Sequence, residues 1–170
     1  MKKYELTGEC KVYFGVTLRR IKSLIDFSDV KKGELGGFIE KEENLSHGGD
    51  AWVYGNARVS GNARVYGDAR VYGNARVSGN ARVYDDARVS GDARVSGNAD
   101  YVLIGRIGSR FGFTTFFRNK NNEIYVSCGC FLGTLAKFRK KVKETHGTDT
   151  KYAKVYQAAA DLAEMQILNK

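Results

Sequence analysis

The segment Gly105-Arg106-Ile107-Gly108-Ser109-Arg110, followed by Thr114, Thr115 and Arg118, gathers the residue types that hold phosphate. Its glycines leave backbone N–H groups open, its hydroxyls add donors, and its arginines supply planar forks that match phosphate oxygens. Phe111, Phe113, Phe116 and Phe117 are interleaved with them, offering either a stacking surface for a base or the core of the local fold. The expected ligand-binding set is Arg106, Ser109, Arg110, Thr114, Thr115 and Arg118.

Other chemistry is thinly supplied. His47 lies in a glycine-rich stretch, and His146 ends a predicted helix, where a cation meets the helix dipole favourably. Neither belongs to a regular repeat, so no catalytic residue is assigned. Cys128-Gly129-Cys130, with Cys10 the only other thiol, falls short of the four ligands of a closed zinc site. No metal and no cofactor is expected. Three cysteines form no even framework, which suits free thiols and a cytoplasmic setting. No apolar run approaches the ~20 residues needed to span a bilayer, so no membrane partner is expected.

Of the net charge of +9, residues 101–170 hold most, with twelve Lys or Arg against five Asp or Glu. Lys137, Arg139, Lys140, Lys141 and Lys143 are its densest run, on the outer side of a helix. A basic segment beside a nearly neutral one points to an anionic small molecule, nucleotide-like, with nucleic acid a second possibility.

The elements that must position these groups follow from a repeat. Ala recurs at 51, 57, 63, 69, 75, 81, 87 and 93, with Val two residues later each time. Alternation inside a period of six means short strands that point Ala and Val inward, separated by turns of Gly with Asn or Asp. Such units bury their apolar face only by stacking, which predicts a β-solenoid. Asp50, Asp68 and Asp86, like Asn62, Asn80 and Asn98, are eighteen apart, so three hexads make one coil of a three-sided prism. The repeat arginines, Arg58 through Arg94, point outward as a solvated ladder or a binding face.

The 170 residues contain 20 Gly and no Pro, where average usage gives roughly eight prolines. Such a chain is long enough for about one domain or two small ones. Residues 1–35 are expected to be cap strands, 36–100 the solenoid with a bulge near His47, and 101–170 a basic α+β module. Within that module, strands are predicted at Tyr101–Ile107, Phe113–Arg118 and Glu123–Cys128, with Asn119–Asn122 as a turn. Thr134 caps a helix that Gly147 stops, and a second helix over Lys151–Leu168 presents Tyr152, Val155, Tyr156, Ala159, Leu162, Ala163 and Ile167.

The hexads, with L-R-R-I, D-F-S-D-V-K-K-G, G-G-F-I-E and N-L-S upstream, resemble the hexapeptide-repeat left-handed β-helix family, in particular its phage and prophage members. G-S-R, T-T-F-F, V-S-C-G-C-F and G-T-L resemble a small C-terminal module of phage-encoded proteins. The resemblance implies a mainly β fold: a three-sided left-handed parallel β-helix with an N-terminal cap and a C-terminal α+β module. The residues favour a non-catalytic protein that captures a phosphate-bearing nucleotide or nucleotide-derived signal, and the resemblance implies that it does so as a counter-defence sponge in the host cytoplasm. Many family members are labelled acyltransferases, which keeps acyl transfer by a histidine base as an alternative, beside an adaptor or inhibitor that binds protein or nucleic acid. It also implies a homo-oligomer, trimer before dimer. The columns Tyr54 with Tyr72 and Tyr66 with Tyr84 suit its interfaces, and the column Ser60, Ser78 and Ser96 suits a wet face.

Overall fold

In a computed structural model describing residues 1–168, every hexad Ala and Val from Ala51 to Val95 is at most 1% exposed. Eight two-residue strands, β4 (Trp52–Val53), β5 (Arg58–Val59), β6 (Arg64–Val65), β7 (Arg70–Val71), β8 (Arg76–Val77), β9 (Arg82–Val83), β10 (Arg88–Val89) and β11 (Arg94–Val95), pair in parallel across a gap of eighteen residues. They lie on three faces, β4-β7-β10, β5-β8-β11 and β6-β9. The expected β-solenoid and its register are both present.

The coil is polar along its axis. Arg58 N–H donates to Ala75 O (2.9 Å) and Ser60 N–H to Val77 O (3.0 Å), and later coils repeat this pattern. Donors therefore point to the C-terminal end and carbonyls to the N-terminal end, so each end needs a different cap.

The N-terminal cap supplies donors. The antiparallel hairpin of β1 (Tyr4–Tyr13) and β2 (Val16–Ser23) extends through β3 (Leu35–Ile39) onto β5. Buried Lys3 donates from Nζ to Gly49 O (3.1 Å) and Ala51 O (2.8 Å), and Tyr4 from Oη to Leu45 O (2.8 Å). Asn44 Nδ2 serves Gly61 O (3.1 Å) and Ala63 O (2.8 Å).

The C-terminal end supplies acceptors. Asn98 Oδ1 takes Arg82 N–H (2.9 Å), and Asp100 Oδ2 takes the N–H groups of Ser96 (2.9 Å) and Gly97 (3.0 Å). Beyond them stand β12 (Tyr101–Ile107), β13 (Gly112–Arg118), β14 (Ile124–Cys128) and β15 (Phe131–Thr134), an antiparallel sheet in that order, then α1 (Leu135–His146) and α2 (Lys151–Leu168). Neighbouring residues of β13 face opposite ways. Phe116 joins the core beneath the helices, while Phe117 joins the solenoid core, so the sheet is the lid of the last coil.

Two details depart from the expected module. A fourth strand, Phe131–Thr134, follows a tight Gly129-Cys130 turn and was too short to stand out. In α2 the buried face is Ala153, Tyr156, Ala159, Ala160, Ala163 and Ile167, whereas Tyr152 and Leu162 are exposed. Apolar residues surround this helix, and its alanines allow the closest approach to the sheet. Among the described residues, no helix is long and apolar enough to cross a membrane.

Candidate functional site

Residues 108–111 close the β12–β13 hairpin, where Ile107 pairs with Gly112. Gly108 has φ +75°, and a Cβ there would lie 1.9 Å from the Tyr156 hydroxyl oxygen, so only glycine lets α2 press against this turn. Arg106, Ser109 and Arg110 of the expected set are exposed on or beside this loop. Phe111, with φ 48°, stands out in solvent at 68% exposure.

The other three residues of that set are turned into structure. Thr114 is 1% exposed and donates its hydroxyl to Cys128 Sγ (3.2 Å). Thr115 accepts Arg88 N–H (3.0 Å). Arg118 spends its fork on Asp100 Oδ1 (3.1 Å), Asn122 Oδ1 and Ile167 O. The six residues therefore form no single cradle, and the loop half alone is open to a ligand.

Behind the loop lies a cavity of about 110 Å³ lined by Cys128, Phe131, Phe138, Lys141, Val142, Thr145, His146 and Tyr156. Among the described residues, no Asp or Glu lines it. The His146 ring stacks on Tyr156 (5.7 Å, 26°). Burial, then the Cys128 thiol, pushes the Tyr156 phenol up to about 12, while the Arg110 charge pulls the other way. The phenol therefore stays a hydrogen-bond donor at neutral pH. From sequence, Lys141 reads as one of a basic run on the outer side of a helix and Tyr156 as part of a helix face, and neither falls in the expected ligand-binding set. Gly108 was the available signal, since a glycine in a hairpin marks a close approach.

Of the basic run on α1, Arg139 is committed to Asp161 (2.6 Å) and Glu164 (2.9 Å) of α2. Cys10 and Cys130 are exposed, and no cluster of metal-ligating residues occurs among the described residues.

His47 borders a wider concavity, about 590 Å³, shared with Glu42, Arg64, Tyr66 and Arg82. Its Nδ1 accepts Lys3 N–H (3.2 Å), which leaves the proton of the neutral ring on Nε2, 3.8 Å from Glu42 Oε2. That Nε2 is itself buried, so neither ring nitrogen offers the concavity the open lone pair that a general base needs. Beside it, Tyr66 and Tyr84 stack (5.4 Å, 14°) and Tyr101 meets Tyr84 edge-on (6.4 Å), so this Tyr column does form. Tyr54 of the other column is tied to Asp29 (3.0 Å) of the cap.

Residues 51–67, 63–77, 69–91 and 87–99 match the family model described as YdcK beta solenoid repeat. The Escherichia coli (strain K12) protein described as uncharacterized acetyltransferase YdcK is 32% identical over 36% of this chain and 25% of its own length. The chain thus spans about a quarter of the curated relative it matches. Over residues 51–99 the chain is similar to the YdcK solenoid repeat, and it folds there as a repeat β-helix.

Proposed function

We propose that the protein is a non-catalytic binding protein whose C-terminal module captures a phosphate-bearing small molecule, a nucleotide or nucleotide-derived signal. The observation that carries the reading is a cavity lined by Lys141, His146 and Tyr156 with no carboxylate in its lining, together with the Arg110 charge acting on the Tyr156 phenol. The charge of Lys141, paired loosely with Glu144 at 4.0 Å, and the Arg110 charge beside a phenolic donor favour an anion. At about 110 Å³ the cavity takes a phosphate-sized group and not a whole nucleotide, since ligand pockets run from roughly 300 Å³. The base then lies outside, where exposed Phe111 offers a ring for stacking beside Arg106 and Ser109. The resemblance to phage-encoded proteins gives this capture its purpose, sequestration of a host signal without turnover.

Calorimetric titration with adenosine 5′-monophosphate tests the reading. Wild type binds, and Arg110→Glu and Lys141→Glu lose binding while keeping the far-ultraviolet circular dichroism of the fold. Equal affinity in all three proteins contradicts it.

Acyl transfer is the second reading, favoured by the similarity to the YdcK protein described as an uncharacterized acetyltransferase. It requires release of CoA from acetyl-CoA that stops in His47→Ala or His146→Ala. It stands second because His47 Nδ1 is engaged by Lys3 N–H and Nε2 is buried.

A further inference from the structure

The face formed by β5, β8 and β11 stacks Arg58, Arg76 and Arg94 in register, and beside them Ser60, Ser78 and Ser96. The sequence suggests a small, wet surface there, but the tip of the β1–β2 hairpin folds over it. The Tyr13 ring lies over the guanidinium carbons of Arg58 (3.8 Å) and Arg76 (4.5 Å), and its hydroxyl accepts from Arg76 Nη2 (2.6 Å). Under this roof is a cavity of about 340 Å³.

The charges of Arg58 and Arg76 are covered but not neutralised, and Arg94 continues the column in the open. No Asp or Glu lines the cavity among the described residues. Arg58 Nη1 is buried and has no hydrogen-bond partner, a costly state for a cationic donor unless an acceptor arrives. The hydroxyls of Ser60 and Ser78 are likewise without a protein partner, while Ser96 gives its hydroxyl to Asp100 Oδ2 (2.7 Å). The carboxylates close by are already engaged: Glu40 accepts Gly61 N–H (2.6 Å), and Asp92 pairs with Lys120 (2.7 Å). On the β4-β7-β10 face, by contrast, Arg70 has both Asp29 (3.1 Å) and Ser28 (2.9 Å).

The roof is itself unusual. The hairpin turns through Phe14 and Gly15, both left-handed (φ 48° and 79°), and Phe14 overhangs the cavity at 94% exposure. A bulky residue in that backbone region is strained. An apolar ring held out beside a cationic groove gains a role once a ligand fills the space beneath.

We propose that this roofed arginine–serine column is a second anion site, separate from the module cavity, and that it takes a linear polyphosphate chain. Coils repeat every ~4.8 Å, so the three guanidinium groups span roughly 10 Å, which matches an extended chain of charges better than a single ion. Their planar forks and the serine hydroxyls are the donor set for bridging and terminal phosphate oxygens. Tyr13, already packed on Arg58 and Arg76, forms one wall of the bound chain's site.

Calorimetry of the full-length protein with sodium tripolyphosphate at fixed ionic strength tests the site. Adenosine triphosphate and a single-stranded oligonucleotide form separate arms. One tripolyphosphate binds per chain, at least ten-fold more weakly in Arg94→Gln and in Ser78→Ala, and unchanged in Arg110→Glu. Arg94 is exposed and Ser78 half-buried, so neither change threatens the core, and a melting curve checks each. Adenosine triphosphate binding as tightly as tripolyphosphate assigns the site to a nucleotide tail; weaker binding assigns it to a free chain. Absence of tripolyphosphate binding, its indifference to both variants, or binding of the oligonucleotide alone overturns the proposal. Loss of adenosine monophosphate binding in Arg110→Glu belongs to the module cavity, so the two sites fail separately.

Discussion

The hydroxyl of Thr115 accepts the backbone N–H of Arg88 at 3.0 Å, in the place where a further coil would present a carbonyl. In earlier coils the same N–H finds Ala, as Arg70 does with Ala87 O (2.9 Å). One side chain of the module sheet thus stands in for the next turn of the solenoid. Thr115→Val keeps the shape and removes the acceptor, leaving a buried donor unpaired at a cost of about 1 to 3 kcal/mol. Its denaturation midpoint falls, Thr115→Ser restores it, and phosphate binding is unchanged in both. A midpoint equal to that of wild type shows that the solenoid needs no such cap.

The interior of the prism admits no charge. Val71, fully buried between Val53 and Val89 in its column, becomes an unpaired carboxylate in Val71→Asp. Stability drops by several kcal/mol or the chain fails to fold, as circular dichroism reads directly.

Asp85 occupies a turn position that Gly fills in most other hexads, and it takes a left-handed φ of 52°. Its Cβ strain is removable. Asp85→Gly raises stability by about 0.5 to 1 kcal/mol, measured by urea unfolding, while the backbone bond from Asp68 N–H to Asp85 O is retained.

Alkaline pH separates the cap from the buried phenols. Burial lowers the Lys3 ammonium from 10.5 to about 8, against the pull of Asp50 and Asp68. Between these values the unfolded chain holds a proton that the folded chain has released, so stability rises with pH across that window. Burial raises Tyr54 and Tyr156 from 10.0 to about 12, so unfolded phenols ionise first and stability falls as pH climbs from 10.0 to about 12. The urea midpoint therefore rises between pH values of about 8 and 10 and declines above them. Lys3→Met flattens the rise and leaves the decline. A rise of equal slope in both proteins removes Lys3 from the account.

The solenoid is legible because its signals are local. Ala and Val two apart in every hexad carry the inward face, and residues eighteen apart carry the stacking. Thr134 and Gly147 bound α1 for the same reason: the Thr134 hydroxyl accepts Lys137 N–H (3.3 Å) and Gly147 has φ 75°. The sites are legible only in part, because they join distant segments. Nothing near Gly108 in the chain announces that Tyr156 will rest against it. Thr114, Thr115 and Arg118 look like ligand donors in isolation, and only the docking of the sheet onto the last coil shows which partners they meet. Tyr13 and Arg76 are 63 residues apart, so the roof over the arginine column has no pattern that a periodicity could reveal.

Native mass spectrometry of the full-length protein, incubated with adenosine monophosphate and, separately, with acetyl-CoA, tests capture without turnover most directly. The account predicts a retained nucleotide adduct in wild type, its loss in Arg110→Glu, and acetyl-CoA left intact. An unliganded mass in the first sample, with free CoA accumulating in the second, contradicts it.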